Sequence, residues 1–367
     1  MNQTISSTSD KAASILEGED IILKVRDLHT YFYTDIGVAR ALNGVNFDIP
    51  RGKVMGMVGE SGCGKSVTAL SIMRMVTKPG RIVQGDIALF RKKKGGENDK
   101  SQIIEEINLT KLEGMGPVMR SIRGAEMSMI FQEPMTSLNP SYTIGDQIME
   151  AILLHQGVDK VEAEKRAINI LDGVGMANPA LVVKRYPHEL SGGMRQRAMI
   201  SLALSCTPSI LFADEPTTAL DVTTEAQILD LMRDLQGRIN MTIIFITHNL
   251  GVVAQMCDYV TVMYLGRVVE QATVDDTFYN PKHPYTSSLL RSIPHVGSRQ
   301  KERLMPIRGV VPDPYSAIKG CPFHPRCSQV MRGKCDAQVP GLTVVGKSHT
   351  VRCFLYSDTV EEASNVR

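Results

Sequence analysis

A glycine-rich segment, GESGCGKS, spans residues 59–66 and has the residue types that bind a phosphate chain. It fits the pattern GxxxxGK[ST], follows the apolar run KVMGMV and precedes apolar residues at helical spacing. Its glycines let backbone N–H groups point into the loop, and the start of the following helix adds positive potential. Lys65 can reach the β- and γ-phosphates, and Ser66 can place its hydroxyl on Mg²⁺. The pattern predicts a strand, a phosphate loop and a helix that bind a nucleotide with Mg²⁺.

Two adjacent acidic residues end a second apolar run, ILFADE, at residues 210–215. A buried strand tolerates such a pair where the acids meet a cation or a water molecule, because an unpaired buried carboxylate is costly. Asp214 is therefore predicted to hold Mg²⁺, directly or through water. Glu215 is predicted to polarise the water that attacks the γ-phosphate.

A third segment, LSGGMRQR, lies just upstream of this acidic pair. Read alone, Ser191, Gly192 and Gly193 are typical of a helix N-cap. The three segments, in this order and spacing, resemble the nucleotide-binding subunit of ATP-binding cassette (ABC) proteins. A second helix N-terminus cannot reach the same phosphates within one compact chain, so we expect it to serve an ATP held by another subunit.

The resemblance also implies roles for residues outside these segments. Gln132, in MIFQEP, corresponds to the glutamine that senses the γ-phosphate and Mg²⁺, and Asp221, in TTALDVTT, to the aspartate that crosses the dimer interface. His248, in IFITHN, corresponds to the histidine that contacts the γ-phosphate and helps position the water. Together with Lys65 and Glu215, Gln132 and His248 form the implied catalytic set.

The adenine is expected to stack on an aromatic residue of the first strand pair, where TYFYT offers three. Phe32 aligns best by spacing, and Tyr31 and Tyr33 remain alternatives. The implied nucleotide contacts are Phe32, Gly59, Ser61, Gly62, Cys63, Gly64, Lys65, Ser66, Val67, Gln132, Ser191, Gly192, Gly193, Asp214 and Asp221, and the implied Mg²⁺ ligands are Ser66, Gln132 and Asp214.

Three further segments look like the ATPase subunits of oligopeptide and dipeptide importers: FQEPMTSLNP, PKHPYTSSLL, and a tail that runs from GCPFHPRC to HTVRCF. Nickel and glutathione importers share much of this pattern. The resemblance implies a second ATPase subunit, two transmembrane permease subunits and an extracytoplasmic substrate-binding protein as partners. It places the chain peripherally on the cytoplasmic side of the inner membrane. A soluble ABC ATPase of DNA repair or translation is the alternative, but those usually fuse two cassettes or insert a long coiled coil.

Four of the seven cysteines lie in the last 47 residues, with the spacing C-x5-C-x7-C-x17-C. In an apparently cytosolic chain such a group favours a metal site over disulfides, and the lack of a CxxC pair argues against zinc. Thiolates also suit iron–sulfur clusters. The family resemblance implies a [4Fe–4S] cluster on Cys321, Cys327, Cys335 and Cys353. Zinc, no metal, a mixed site with His324 or His349, and a redox protein regulated by the cassette remain alternatives.

The composition of the chain limits which kinds of partner these sites could bind. The 367 residues carry 41 Lys and Arg against 39 Asp and Glu, so the net charge of +2 gives no large field for nucleic acid, and no nucleic-acid partner is expected. The lysine-rich stretch at residues 91–100 is predicted to be an exposed loop. The start of the chain lacks a signal-peptide pattern, and no apolar run is long enough to span a bilayer.

The predicted fold class is α/β: an ABC-type P-loop NTPase with a helical subdomain and an antiparallel β subdomain, plus a small, loop-rich, metal-binding C-terminal domain. A flexible tail is expected over residues 1–19 and the nucleotide-binding domain over 20–285, with its helical subdomain at about 138–190. The proline-rich region 286–367, with the four cysteines, is expected to be the second domain.

Overall fold

A computed structural model describes residue 16 and residues 18–94, 102–132, 137–218, 220–292, 307–316 and 318–360 of the chain. Within these residues the strands form a four-stranded sheet and an eight-stranded sheet. The strands β1 to β12 are Ile21–Thr34, Gly37–Pro50, Val54–Val58, Gly80–Lys94, Gln102–Asn108, Met127–Ile130, Ile210–Asp214, Thr242–Ile246, Tyr259–Tyr264, Arg267–Thr273, Thr343–Gly346 and His349–Val351. The helices α1 to α10 are Lys65–Ile72, Pro117–Ile122, Ile144–Gln156, Lys160–Gly173, Pro179–Val182, Gly192–Leu204, Val222–Ile239, Leu250–Met256, Val274–Tyr279 and Pro284–Arg291.

The eight-stranded sheet has the order β11-β12-β10-β9-β3-β8-β7-β6, and its strands from β9 to β6 run parallel. Every residue of β3, β7 and β8 is buried, as expected for parallel strands covered on both faces. The prediction of an α/β fold with a parallel sheet is thus confirmed. Because these strands are parallel, their carboxyl ends gather the predicted catalytic segments at one edge of the sheet.

The four-stranded sheet is antiparallel in the order β2-β1-β4-β5, which confirms the antiparallel β subdomain. The lysine-rich stretch predicted to be an exposed loop begins inside this sheet: residues 91–94 end β4, and Lys94 pairs with Gln102 of β5. Arg91 Nε donates to Glu126 Oε2 at 2.7 Å. Cross-strand pairing and this ion pair order a segment that sequence polarity alone assigns to a loop. Residues 95–101 lie outside the described residues.

Two amphipathic helices, α3 and α4, lie in the region predicted to be helical. Thr143 and Asp159 cap them by accepting the backbone N–H groups of Asp146 and Glu162. Their buried residues recur three and four positions apart and pack in one core with α6 and α7. The buried residues of α4 are Ala163, Ala167 and Leu171.

The C-terminal strands extend the central sheet, because β12 pairs with β10 (Gln271 opposite Thr350) and β11 pairs with β12. β11 and β12, which lie in the predicted second domain from residue 286, therefore belong to the same sheet as the strands of the cassette. They are four and three residues long, too short to show a hydrophobic period in the sequence. At the other end, Leu16 is buried in the core, so packed structure begins inside the predicted tail, whose residues 1–15 lie outside the described residues.

Candidate active site

The phosphate loop joins β3 to α1, and its glycines hold conformations that other residues adopt at a cost. The φ angles are +150° at Gly59, +77° at Gly62 and +102° at Gly64. A Cβ at Gly59 would lie 2.2 Å from the carbonyl oxygen of Met263, so the loop packs directly on the end of β9. A Cβ at Gly62 would meet nothing within 4 Å, and this side of the loop is open.

Lys65 is buried and folds back onto the loop. Its Nζ donates to the carbonyl oxygens of Gly59 at 2.8 Å and Glu60 at 3.2 Å. Ser61 and Gly62 are exposed, whereas the thiol of Cys63 is buried and burial raises its pKa. Cys63 can therefore offer a nucleotide only its backbone.

Ser66 and Asp214, two of the predicted Mg²⁺ ligands, lie close enough for Ser66 to influence the pKa of the Asp214 carboxyl. Burial raises the pKa of Asp214, and the interaction with Ser66 opposes this rise. A cation beside the pair would favour the carboxylate, so the two side chains fit a Mg²⁺ site. Val67 follows in the first turn of α1 and packs partly against the core.

Glu215 follows β7, and its carboxyl group contacts the side chains of two other predicted catalytic residues. His248 Nδ1 lies 2.9 Å from its Oε1, while Gln132 Nε2 and Thr218 Oγ1 donate to its Oε2 at 3.2 and 2.9 Å. Its backbone has a φ of +45°, a left-handed conformation that is strained for a residue with a side chain. The sheet thus brings together Gln132, Glu215 and His248.

The carboxyl of Glu215 is kept ionised by these partners. Burial alone would raise its pKa, but the hydrogen bonds from His248 and Thr218 and the charges of His248 and Lys65 hold the pKa below its usual value. An oriented carboxylate beside a phosphate loop can accept a proton from an attacking water. The role of Thr218 is not predicted from the sequence. Thr218 comes three residues after Glu215 in DEPTT, however, and this spacing is typical of a local turn.

The two segments expected to face another subunit are neighbours. Ser191 caps α6 by accepting the N–H of Met194, and Asp221 caps α7 by accepting those of Thr223 and Thr224. A Cβ at Gly193 would lie 3.2 Å from a side-chain methyl of Thr224. Ser191, Gly192 and Asp221 are exposed, so both helix N-termini open onto one surface.

The three aromatic residues considered for adenine stacking differ in their surroundings. Tyr31 is buried and its hydroxyl lies 3.2 Å from His29 Nδ1. Phe32 is half-buried over Gly80, and Tyr33 is exposed with the Arg81 guanidinium 4.2 Å from its ring centroid. The stacking role of Phe32 stays a prediction.

The four C-terminal cysteines line one cavity together with His283 and Phe323. Within the described residues, however, no group of three or more His, Cys, Asp or Glu side chains is arranged to hold a single metal ion. A mixed site with His349 is not favoured, because its Nε2 is 2.7 Å from the buried carboxylate of Glu270. A separate metal-binding domain therefore finds no support here.

Among the helices that the structure describes, none combines the length and the apolar character that crossing a bilayer requires.

Comparison with known proteins supports the same type of site. Residues 42–218 match the ABC transporter family model, and residues 269–335 match the oligopeptide/dipeptide transporter C-terminal region. Among solved structures, cbiO1 of Clostridium perfringens, part of the ABC transporter complex cbiONQ, is 27% identical with a TM-score of 0.56, covering 71% of this chain and 92% of its own. The dimeric cassette MJ0796 with ADP and Pi has a TM-score of 0.58 at 24% identity, covers 69% of this chain and 99% of its own, and shows the fold alone.

Two relatives from Bacillus subtilis align with nearly the whole chain. The oligopeptide transport ATP-binding protein AppD is 48% identical over 94% of this chain and 99% of its own length. The dipeptide transport ATP-binding protein DppD is 46% identical over 93% and 97%. With this similarity added to the phosphate loop and the side chains around Glu215, the chain belongs to the family of ABC transporter ATP-binding subunits.

Proposed function

We propose that this chain is the ATP-hydrolysing subunit that powers uptake of oligopeptides or dipeptides through a membrane ABC importer. The convergence of Gln132, Thr218 and His248 on Glu215 carries the hydrolytic part of this proposal. The peptide part is supported by the match over residues 269–335 and by the names of relatives such as AppD and DppD.

In the chemical step, water attacks the γ-phosphorus of ATP, the bond from this phosphorus to the β–γ bridging oxygen breaks, and ADP and phosphate leave. Ser66, Asp214 and Gln132 would hold Mg²⁺, which would supply positive charge to the phosphates when bound. Lys65 would exchange its loop carbonyls for the β- and γ-phosphates, and Glu215 would accept the proton of the water. His248 contacts Glu215 and is mostly exposed, and it would contact the γ-phosphate.

The partners we propose are a second ATPase subunit, two transmembrane permease subunits and an extracytoplasmic substrate-binding protein. The exposed N-termini of α6 and α7, with Ser191 and Asp221, suit contact with the ATP of the second subunit. We place the chain peripherally on the cytoplasmic side of the inner membrane. ATP binding would close the ATPase pair and shift the permease between its two states, and hydrolysis would reset it.

The division into a cassette at about 20–285 and an accessory region at 286–367 is part of the proposal. For the cysteines of that region we propose a [4Fe–4S] cluster. Cys321, Cys327, Cys335 and Cys353 share one cavity, and a four-metal cluster needs wider ligand spacing than a single ion. Burial raises the pKa of Cys321 to about 12 and that of Cys353 to about 11, and the neighbouring thiols add to the rise. Bound iron would lower these pKa values again, because it favours the thiolate form. The cluster would tie together four positions of a loop-rich segment.

Uptake by cells tests the proposed substrate class. Cells that lack this chain are expected to lose uptake of labelled dipeptides or of longer peptides, and the wild-type chain should restore it. Glu215→Gln should not restore uptake, whereas Glu164→Gln, at an exposed position of α4, should. If cells that lack this chain take up peptides normally but lose uptake of Ni²⁺ or glutathione, the transported solute would be Ni²⁺ or glutathione and not a peptide.

A further inference from the structure

The C-terminal segment reaches the phosphate loop through one arginine. Arg326 Nη1 donates to Glu60 Oε2 at 2.6 Å, and Arg326 Nη2 donates to Glu60 Oε1 at 3.0 Å. Only 4% of the Arg326 side chain and 24% of the Glu60 side chain are exposed. Glu60 is the second residue of GESGCGKS, so this two-pronged ion pair joins the C-terminal region to the loop that binds phosphates.

Arg326 is itself held in place from several sides. It ends the short 3₁₀ turn His324–Arg326, and its Nε donates to the carbonyl oxygen of Arg308 at 2.9 Å. Its guanidinium lies 5.9 Å from the ring centroid of Tyr264, whose hydroxyl accepts from Nη1 at 3.4 Å. A guanidinium fixed in this way can donate two hydrogen bonds to a carboxylate with little loss of side-chain conformational entropy.

Glu60 is tethered through its backbone as well as its side chain. Its N–H donates to the hydroxyl of Tyr285 at 2.9 Å, and its carbonyl oxygen accepts from Lys65 Nζ at 3.2 Å. Tyr285, like Arg326, comes from the part of the chain that follows the central sheet strands β9 and β10. Contacts from outside the loop therefore fix both the backbone and the carboxylate of Glu60.

The negative charge of Glu60 means that its ion pair with Arg326 can affect nucleotide binding. A carboxylate within a loop that wraps a polyphosphate adds negative charge where negative charge must bind. The two hydrogen bonds to Arg326 neutralise that carboxylate and fix its orientation. Without Arg326, Glu60 would be left as a partly buried and unpaired anion next to the phosphates.

We propose that Arg326 is a positioning residue for the nucleotide: by pairing with Glu60 it orders the phosphate loop and cancels the loop's own negative charge, so that the affinity for MgATP depends on the C-terminal segment. This inference rests on ATP binding at residues 59–66 and not on which solute is transported. A change of substrate class would leave it intact.

A double-mutant cycle on the purified chain tests the proposal. Arg326→Met is expected to raise the Kd and KM for MgATP about tenfold while kcat changes less than about twofold. Adding Glu60→Gln should return the Kd to within about threefold of wild type, because it removes the unpaired charge. Arg332→Met, at an exposed position of the same segment, is the matched control and should bind MgATP as the wild type does.

Two results would overturn the proposal. One is an unchanged Kd for Arg326→Met, and the other is a raised Kd that Glu60→Gln does not relieve, which would make Arg326 a packing residue of the C-terminal segment. If Arg326→Met does not fold, Arg326→Gln takes its place, since glutamine removes the charge but can still hydrogen-bond. A Kd for Arg326→Gln equal to that of the wild type would then count against the proposal, and a rise relieved by Glu60→Gln would support it.

Discussion

His248 Nδ1 lies 2.9 Å from Glu215 Oε1, although 33 residues separate them in the chain. The contact follows from the topology, because β7 and β8 are parallel neighbours with Asp214 opposite Ile246. Glu215 comes directly after β7, and His248 comes two residues after the end of β8. The Glu215 side chain is 16% exposed and that of His248 is 66% exposed. The carboxylate is thus sheltered and the imidazole is exposed, which is consistent with the roles proposed for Glu215 as the base and for His248 as a contact of the γ-phosphate.

Glu215→Gln separates ATP binding from hydrolysis. The amide keeps the size of the side chain but cannot accept the proton of the attacking water, so turnover is expected to fall at least about 100-fold. The phosphate loop is unchanged, and MgATP should still bind and accumulate in a closed ATPase pair. Phosphate release and equilibrium nucleotide binding measure the two effects. Wild-type turnover in this variant would remove Glu215 from the role of base.

His248→Ala tests whether the histidine acts through Glu215. We expect turnover to fall about 10- to 100-fold, because Glu215 loses its orienting partner and the γ-phosphate loses a contact. In the Glu215→Gln background the same change should cost much less, since residues that act as a unit are not additive. Equal losses in both backgrounds would show that His248 works independently of Glu215.

The sequence predicts the parallel sheet and the residues at its carboxyl ends because each depends on a short local pattern: an apolar strand followed by a glycine-rich loop, an Asp-Glu pair or a lone histidine. It does not predict contacts between distant segments. The pairing of Arg326 with Glu60 spans 266 positions and leaves no local pattern. The left-handed backbone of Glu215 is also invisible in the sequence, because the residue itself disfavours that conformation.

The C-terminal region is a second case in which the sequence does not predict a contact between distant segments. Its prolines and cysteines predict a small independent unit, whereas β11 and β12 complete the sheet of the cassette. Sheet pairing is set by partner strands, and three residues carry too little pattern to reveal a partner.

Phe32→Ala tests the predicted adenine contact. Loss of the ring should raise the KM for ATP about 5- to 20-fold with little change in kcat, because stacking stabilises the bound base equally before and during the reaction. Tyr33→Ala is the matched comparison, since Tyr33 lies next to it in the strand and is exposed. The steady-state KM for ATP in both variants decides between them, and a larger rise for Tyr33→Ala would assign the base contact to Tyr33.

Cys327→Ser tests the proposed iron–sulfur ligands. Anaerobically purified wild-type chain should contain iron and sulfide and absorb visible light, and the variant should lose most of both because a four-ligand cluster is left with three cysteines. Cys206→Ser is the control, because Cys206 packs in the core away from the cavity. Full iron content in Cys327→Ser would show that this residue is not a ligand, and zinc in place of iron would change the assigned metal.

Glu270→Gln tests the buried contact that ties the C-terminal strand to the cassette. Glu270 is fully buried and accepts hydrogen bonds from the N–H groups of Lys282 and His283 at 2.7 and 2.9 Å, beside His349 Nε2. Burial opposes its ionisation, but His349, Thr286 and these backbone donors outweigh burial and hold its pKa below the ordinary value of 4.5. The variant is expected to lose about 3 kcal/mol of unfolding free energy at pH 7, because the buried donors lose their charged acceptor.

The same contact gives the stability a defined dependence on pH. A carboxyl with a lowered pKa in the folded state stabilises the fold fully above pH 4.5, and this contribution disappears as the pH falls through the folded-state pKa. Denaturant unfolding of the wild type and of Glu270→Gln between pH 7 and pH 3.5 should therefore show a stability difference that is constant down to about pH 4.5 and then narrows by up to about 1.4 kcal/mol by pH 3.5. A difference that stays constant over this range would mean that the charge of Glu270 contributes nothing and that the variant acts through packing alone.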